Sequence, residues 1–172
     1  MRRITFILVA VVALAGAVAF TAPASGEADE GVAPHVAQIP HGYRDWKLIS
    51  VAHEEGGLHS LGAILGNDVA IKAYRETTLP FPEGTIIAAL HYSHVPSEEN
   101  NKVFGQAQSF VPGVATNVQF MVKDSKKYAA TGGWGFGFFI DGKHAPEAAM
   151  KTCFPCHNQF KAHDMVFTHY AP

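Results

Sequence analysis

The sequence predicts an α+β fold, a mainly antiparallel β-sheet with a few flanking helices, and three observations carry that prediction. Stretches such as Thr85–His94 and Gly133–Ile140 alternate with a period of two, the signature of strands. Residues 67–74 switch to helical spacing and are then stopped by two prolines. The remaining segments return to strands, with helices gathered to one side and no internal repeat.

The first 24 of the 172 residues stand apart from the fold. Arg2 and Arg3 precede an apolar run from Ile4 to Phe20, and Ala22-Pro23-Ala24 offers a small-residue cleavage site. Residues 1–24 therefore read as a secretory signal peptide, with an uncleaved membrane anchor as the alternative. The arginine pair is ordinary for such a region and is weak support for a twin-arginine address. Residues 25–38 are small, acidic and poor in large apolar groups, and read as a disordered leader. The domain is expected over 39–172.

Within it, Trp46–Val51 is expected as the first strand, and Glu55-Gly56-Gly57 as a loop. Asn67 or Asp68 caps a helix carrying Val69, Ala70, Ala73 and Tyr74, which Leu79-Pro80-Phe81-Pro82 ends. In the strand 85–94, Ile86, Ala88, Leu90 and Tyr92 share one face. Thr85, Ile87, Ala89, His91 and Ser93 share the other. Residues 95–102 read as a polar loop. Val103–Val111 and Thr116–Val122 read as strands, with Val118, Phe120 and Val122 buried.

One helical turn at 124–128 leads into Gly133–Ile140. Here Trp134, Phe136 and Phe138 share a face, and Gly133, Gly135 and Gly137 leave the other bare. A bare glycine stripe invites a close neighbour, either a flat ligand or packing from the chain itself. A helix from about Pro146 and a last strand at 166–170 complete the domain.

The chemistry concentrates at Cys153-Phe154-Pro155-Cys156-His157, which contains the two cysteines of the chain. C-x-x-C-H reads as a c-type haem attachment site, with His157 as the axial ligand of the iron. One covalently attached haem c is the cofactor expected, held near the C-terminus. A thiol–disulfide motif would want a strand-to-helix junction, whereas the helix-favouring run 147–151 precedes this one. A zinc site from Cys153, Cys156, His163 and His169 has a shorter gap than the common finger.

Composition is that of an ordinary globular protein. Taking Arg2 and Arg3 from the 13 basic residues leaves 11 against 15 acidic ones, a net charge of −4. No basic patch suits phosphates, so no nucleic-acid partner is expected. Export and haem attachment agree, since such haems are joined outside the cytoplasm; a periplasmic or secreted location follows.

Five short motifs occur in order: Tyr43-Arg44-Asp45-Trp46, Phe81-Pro82-Glu83-Gly84-Thr85, Val122-Lys123-Asp124-Ser125-Lys126, Cys153-x-x-Cys156-His157 and Asp164-Met165-Val166-Phe167-Thr168. Together they resemble the cytochrome P-460 family of periplasmic haem proteins, which includes the β-type cytochromes c-prime, over roughly 41–170. The resemblance implies a mainly antiparallel β fold, often a homodimer, and a c-type haem iron with an open sixth position.

It also implies a difference. Cross-linked members join a lysine to the porphyrin edge, and by the Phe81–Thr85 turn that position falls on Ala89, which has no nucleophilic nitrogen. Lys72, the nearest lysine in sequence, reads as a solvated helix residue. Members without the cross-link bind diatomic gases, nitric oxide above all.

The expected function is therefore an exported mono-haem cytochrome with five-coordinate iron that binds or processes small nitrogen oxides. Hydroxylamine oxidation and periplasmic electron transfer to a redox partner are the alternatives. Ala89, His91, Phe81, Phe136 and Phe138 are the candidate haem-pocket residues. Met121 reads as core filler, and the histidines other than His91 and His157 read as scattered exposed groups. Catalytic residues are unassigned; Glu147 and Asp141 are the carboxylates nearest the right part of the chain.

Overall fold

The structure is a computed structural model that describes residues 35–171. The expected signal peptide, and most of the expected leader, lie outside the described residues. No helix among the described residues is long and apolar enough to cross a membrane.

Six strands form one antiparallel meander in chain order: β1 (Lys47–Glu54), β2 (Ser60–Gly66), β3 (Ile86–Pro96), β4 (Phe110–Lys123), β5 (Trp134–Ile140) and the short β6 (Lys143–His144). The helices are α1 (Asp68–Arg75), α2 (Glu98–Phe104), α3 (Glu147–Met150) and α4 (Cys153–His157), and a 3₁₀ turn (Asn158–His163) follows the last. Strands with helices set beside them give the α+β class that the sequence predicts.

Both faces of β3 are covered, and its alternation sorts them correctly. Ala88 and Leu90 join Phe120 and Phe139 on one face, against Tyr43 and Trp46. Ile87 joins Ile49, Ile64, Met121, Trp134 and Phe136 on the other, beneath α1 and the segment around Met165 and Val166. Register fixes the second face: Ala89 pairs with Ile64 and with Gln119, and Gln119 pairs with Phe138. The described cavity lies on this face.

Asn67 is the cap of α1. Its side chain accepts from the Ala70 N–H at 2.9 Å and the Ile86 N–H at 3.2 Å, and donates to the Gly84 carbonyl at 2.8 Å. One side chain thus ties the helix start to the start of β3.

Several expectations are corrected. Residues 60–66, which had no assignment, form β2, a strand of small residues with Ser60, Gly62, Ile64 and Gly66 buried. The polar stretch 95–102 is not a loop throughout. Ser97 accepts from the Asn100 N–H, and Glu98 and Glu99 occupy the first turn of α2. The strand expected at 103–111 does not form, because α2 runs through Phe104 and β4 begins only at Phe110. Nor does the last strand: residues 166–170 pair with no strand, and beyond them the Ala171 N–H donates to the Ile49 carbonyl at 2.8 Å.

The glycine stripe of β5 is filled by the chain itself. A Cβ on Gly135 would strike the Tyr128 ring, and one on Gly137 would press on Val36. Val36 is buried, and its N–H donates to the Phe136 carbonyl at 2.9 Å. The end of the expected leader, His35–Val36, is therefore docked on β5 as a parallel bridge.

Candidate functional site

A cavity of about 650 Å³ opens on the Ile87–Ala89–His91 face, within the usual range for ligand sites. Its floor is the sheet: Ala52, Ile64, Ile87, Ala89, Met121, Phe136 and Phe138. Its other side is the C-terminal segment: Thr152, Cys153, Cys156, His157, Val166, Phe167 and Thr168. Polar groups reach it from Glu54, Ser60, His91, Asn117 and Gln119. The structure thus brings seven of the eight candidate residues together.

Phe81 departs from that expectation. It is buried in the core, edge-on to Trp134 at 5.9 Å and to Tyr74 at 5.0 Å, and lines a separate space of about 230 Å³. Its backbone matters instead: the Phe81 N–H donates to Asp164 Oδ2 at 2.8 Å.

His157 ends α4 one residue after Cys156, so the helix fixes the histidine relative to the thiols. Its Nδ1 lies 2.8 Å from the Met165 carbonyl. A carbonyl only accepts, so Nδ1 carries the proton and Nε2 keeps its lone pair. Burial pushes the His157 pKa down, against the carbonyl's opposing effect, and favours this neutral form. A neutral imidazole with its second nitrogen held by a carbonyl is the arrangement a metal-ligating histidine requires. Phe136 and Phe167 flank the ring at 5.0 and 4.5 Å.

The carbonyl is placed by two left-handed residues, Asp164 (φ 50°) and Met165 (φ 65°). Such backbone costs about 1–3 kcal/mol per residue and persists only where the surroundings impose it. Here Lys123 Nζ, at the buried end of β4, contacts both Asp164 carboxylate oxygens at 2.8 and 2.9 Å. The Met165 side chain is buried against Gly132. Glu83 accepts from the Ser125 N–H at 2.9 Å and joins the two turns beneath.

Cys153 and Cys156 are both free thiols, the first half-buried and the second exposed. Burial raises the Cys153 pKa, so it is held as a thiol rather than a thiolate. His163 and His169 do not join them in a described metal cluster; the one cluster of that kind among the described residues lies elsewhere.

His91 is half-buried, and desolvation lowers its pKa, with Glu54 acting in the other direction. Its Nδ1 lies 3.5 Å from both Ser60 Oγ and Glu54 Oε2, while Ser60 donates to Glu54 at 2.9 Å. Glu54 is the cavity carboxylate that the sequence did not point to. Glu147 instead pairs with Lys151 at 2.9 Å on the exposed side of α3. Glu54 shares a face of β1 with Ala52, but the first strand was expected to end at Val51 and β2 was unassigned, so the inward face could not be traced to it.

The residues fit a haem on the chemistry of the donor set: two thiols, a neutral imidazole with a free nitrogen, and an apolar floor in one cavity. No lysine is among the described residues that line it. No curated protein matches the chain. A family model described as Cytochrome P460 matches residues 40–168, well over half of the chain.

Proposed function

The chain belongs to the cytochrome P460 family, whose members bind haem, and from that premise we propose an exported cytochrome with one covalently attached haem c and five-coordinate iron. Its ligand is a small nitrogen oxide, nitric oxide above all. The observation that carries the reading is the His157 Nδ1 contact with the Met165 carbonyl, which leaves Nε2 as the single ligating nitrogen of that ring.

Cys153 and Cys156 would hold the haem, each thiol S–H adding across one vinyl double bond to give a thioether with no leaving group. When bound, the haem supplies an iron that takes a diatomic ligand or exchanges electrons. The chain does the rest. Met165 holds the imidazole proton, and Phe136, Phe138, Ile64 and Ile87 exclude water. Ala89 offers no nitrogen to the porphyrin edge, and His91 presents a neutral polar group.

A second reading, hydroxylamine oxidation, is favoured by the Glu54–Ser60–His91 group, which can accept a proton from a small substrate. It requires an external electron acceptor. The third reading, an electron carrier, rests on Met121, a thioether lining the cavity. A periplasmic redox partner and a homodimer belong to the same proposal.

The test is made on protein expressed with haem-maturation machinery. The denatured chain is expected to gain the mass of one haem that acidified acetone does not extract, and Cys153→Ser with Cys156→Ser loses it. Nitric oxide is expected to bind one per haem, with little dye-coupled turnover of hydroxylamine. Extractable haem contradicts the covalent reading, and sustained turnover puts the enzyme reading first.

A further inference from the structure

Four side chains at one end of the sheet form a cluster outside the haem cavity. His53 lies near the end of β1, Glu55 and His59 in the loop to β2, and His94 on β3. His94 Nε2 is 3.0 Å from His59 Nδ1, and their rings are 3.9 Å apart. The His53 ring meets His94 edge-on at 4.9 Å, and His53 Nε2 is 3.1 Å from Glu55 Oε1. One donor atom from each of His53, Glu55 and His94 lies within 4.8 Å of the others.

A second observation points to a ligand. His94 is only 8 % exposed, and its Nδ1 is buried with no hydrogen-bond partner among the described residues. A buried imidazole nitrogen without a partner is uncommon and wants either a donor or a metal. The remaining donors are not locked by packing: the His53 and Glu55 side chains are 44 and 72 % exposed.

We propose that His53, Glu55 and His94 form a binding site for a divalent transition-metal ion of the zinc and copper class, with His59 holding the other nitrogen of His94. Imidazole nitrogens with one carboxylate suit such ions, whereas calcium and magnesium want an all-oxygen shell. Bonds of about 2.0–2.2 Å in a tetrahedron bring ligand atoms to roughly 3.4 Å of one another. The cluster must therefore contract by at most about 1.4 Å, a motion that rotation of the exposed His53 and Glu55 side chains can supply. Phe110, 5.0 Å from the His94 ring, gives the site an apolar side.

The position has a consequence for the cavity. None of the four residues lines it, yet Glu54 and Leu58 of the same hairpin end do. Alternation along β1 puts His53 on one face and Glu54 on the other. A bound ion clamps the hairpin end from outside and fixes the rim that carries Glu54.

The experiment uses the untagged holoprotein, stripped with a chelator and titrated with Zn²⁺ by calorimetry and thermal melting. One equivalent is expected to bind in the micromolar range or tighter, with a rise in Tm. His53→Ala and Glu55→Gln, both at exposed positions, are expected to weaken binding about tenfold or more. His163→Ala, in the exposed 3₁₀ turn, is expected to leave it unchanged. No saturable uptake, or uptake unchanged in both His53→Ala and Glu55→Gln, overturns the proposal. Neither result bears on haem attachment or nitric oxide binding, which are read separately from the haem spectrum.

Discussion

The segment that fixes His157 and the strand ends that carry His91 are held in opposite ways. Behind His157, Lys123 and Asp164 form a pair with side chains only 6 and 13 % exposed, at 2.8 and 2.9 Å. The Phe81 N–H and the Gly132 carbonyl complete it, and Trp134 lies under the ammonium at 4.8 Å. Around His91, both contacts are 3.5 Å, and they run to Glu54 and Ser60 beside an exposed loop. The first arrangement holds one geometry; the second can exchange its partners for a ligand. The proposed open haem site would use that asymmetry, with His157 held rigid and the polar groups around His91 adaptable.

Predictions follow from the strength of each side. Asp164→Asn strands a buried ammonium, so about 3–5 kcal/mol of stability is expected to be lost in urea unfolding. The Met165 carbonyl also loses its anchor, and the iron–histidine stretch should shift in resonance Raman spectra. A loss under 1 kcal/mol with an unchanged stretch would break the comparison. Gly135→Ala drives a methyl into the Tyr128 ring beneath the same frame. About 1–3 kcal/mol is expected by thermal melting, with the haem spectrum retained. Ser60→Ala, on the loose side, is expected to cost only about 0.5–1.5 kcal/mol while changing the nitric oxide dissociation rate.

The smallest effect is the pH dependence of His91. Burial lowers its pKa below the ordinary 6.5, so below that pH the unfolded chain binds the proton more readily than the folded one. Stability from the neutral ring is complete above pH 6.5 and is lost as pH falls toward the folded pKa. Between pH 7.5 and 5.5 the holoprotein is expected to lose more stability than His91→Gln, by less than about 1 kcal/mol. Equal losses would show that burial does not lower the His91 pKa, and would contradict the desolvated, neutral ring.

Much of the sheet was legible because period two is a local signal. The faces of β3 and the Asn67 cap follow from neighbouring residues. α2 was missed because it has no buried residue, so no apolar stripe marked it. β2 was missed because Gly62, Ala63 and Gly66 carry little β propensity, and their partners were needed to stabilise it. At 166–170 the residue pattern suits a strand, but no partner strand lies beside it, which the sequence could not show. In the site, Cys153, Cys156 and His157 are adjacent and could be read together. Lys123 and Asp164 are 41 residues apart, so the sequence showed two motifs without the ion pair that joins them. The zinc-type cluster was hidden for the same reason: His94 meets His59 only when β2 pairs with β3.

The most direct test of an open, uncross-linked iron site is the absorption spectrum of the ferrous holoprotein before and after nitric oxide. The account predicts a conventional high-spin Soret band that shifts when nitric oxide is added. A low-spin spectrum indifferent to nitric oxide would contradict the open sixth position, and a strongly red-shifted ferrous band would mean that a residue other than Ala89 is joined to the porphyrin.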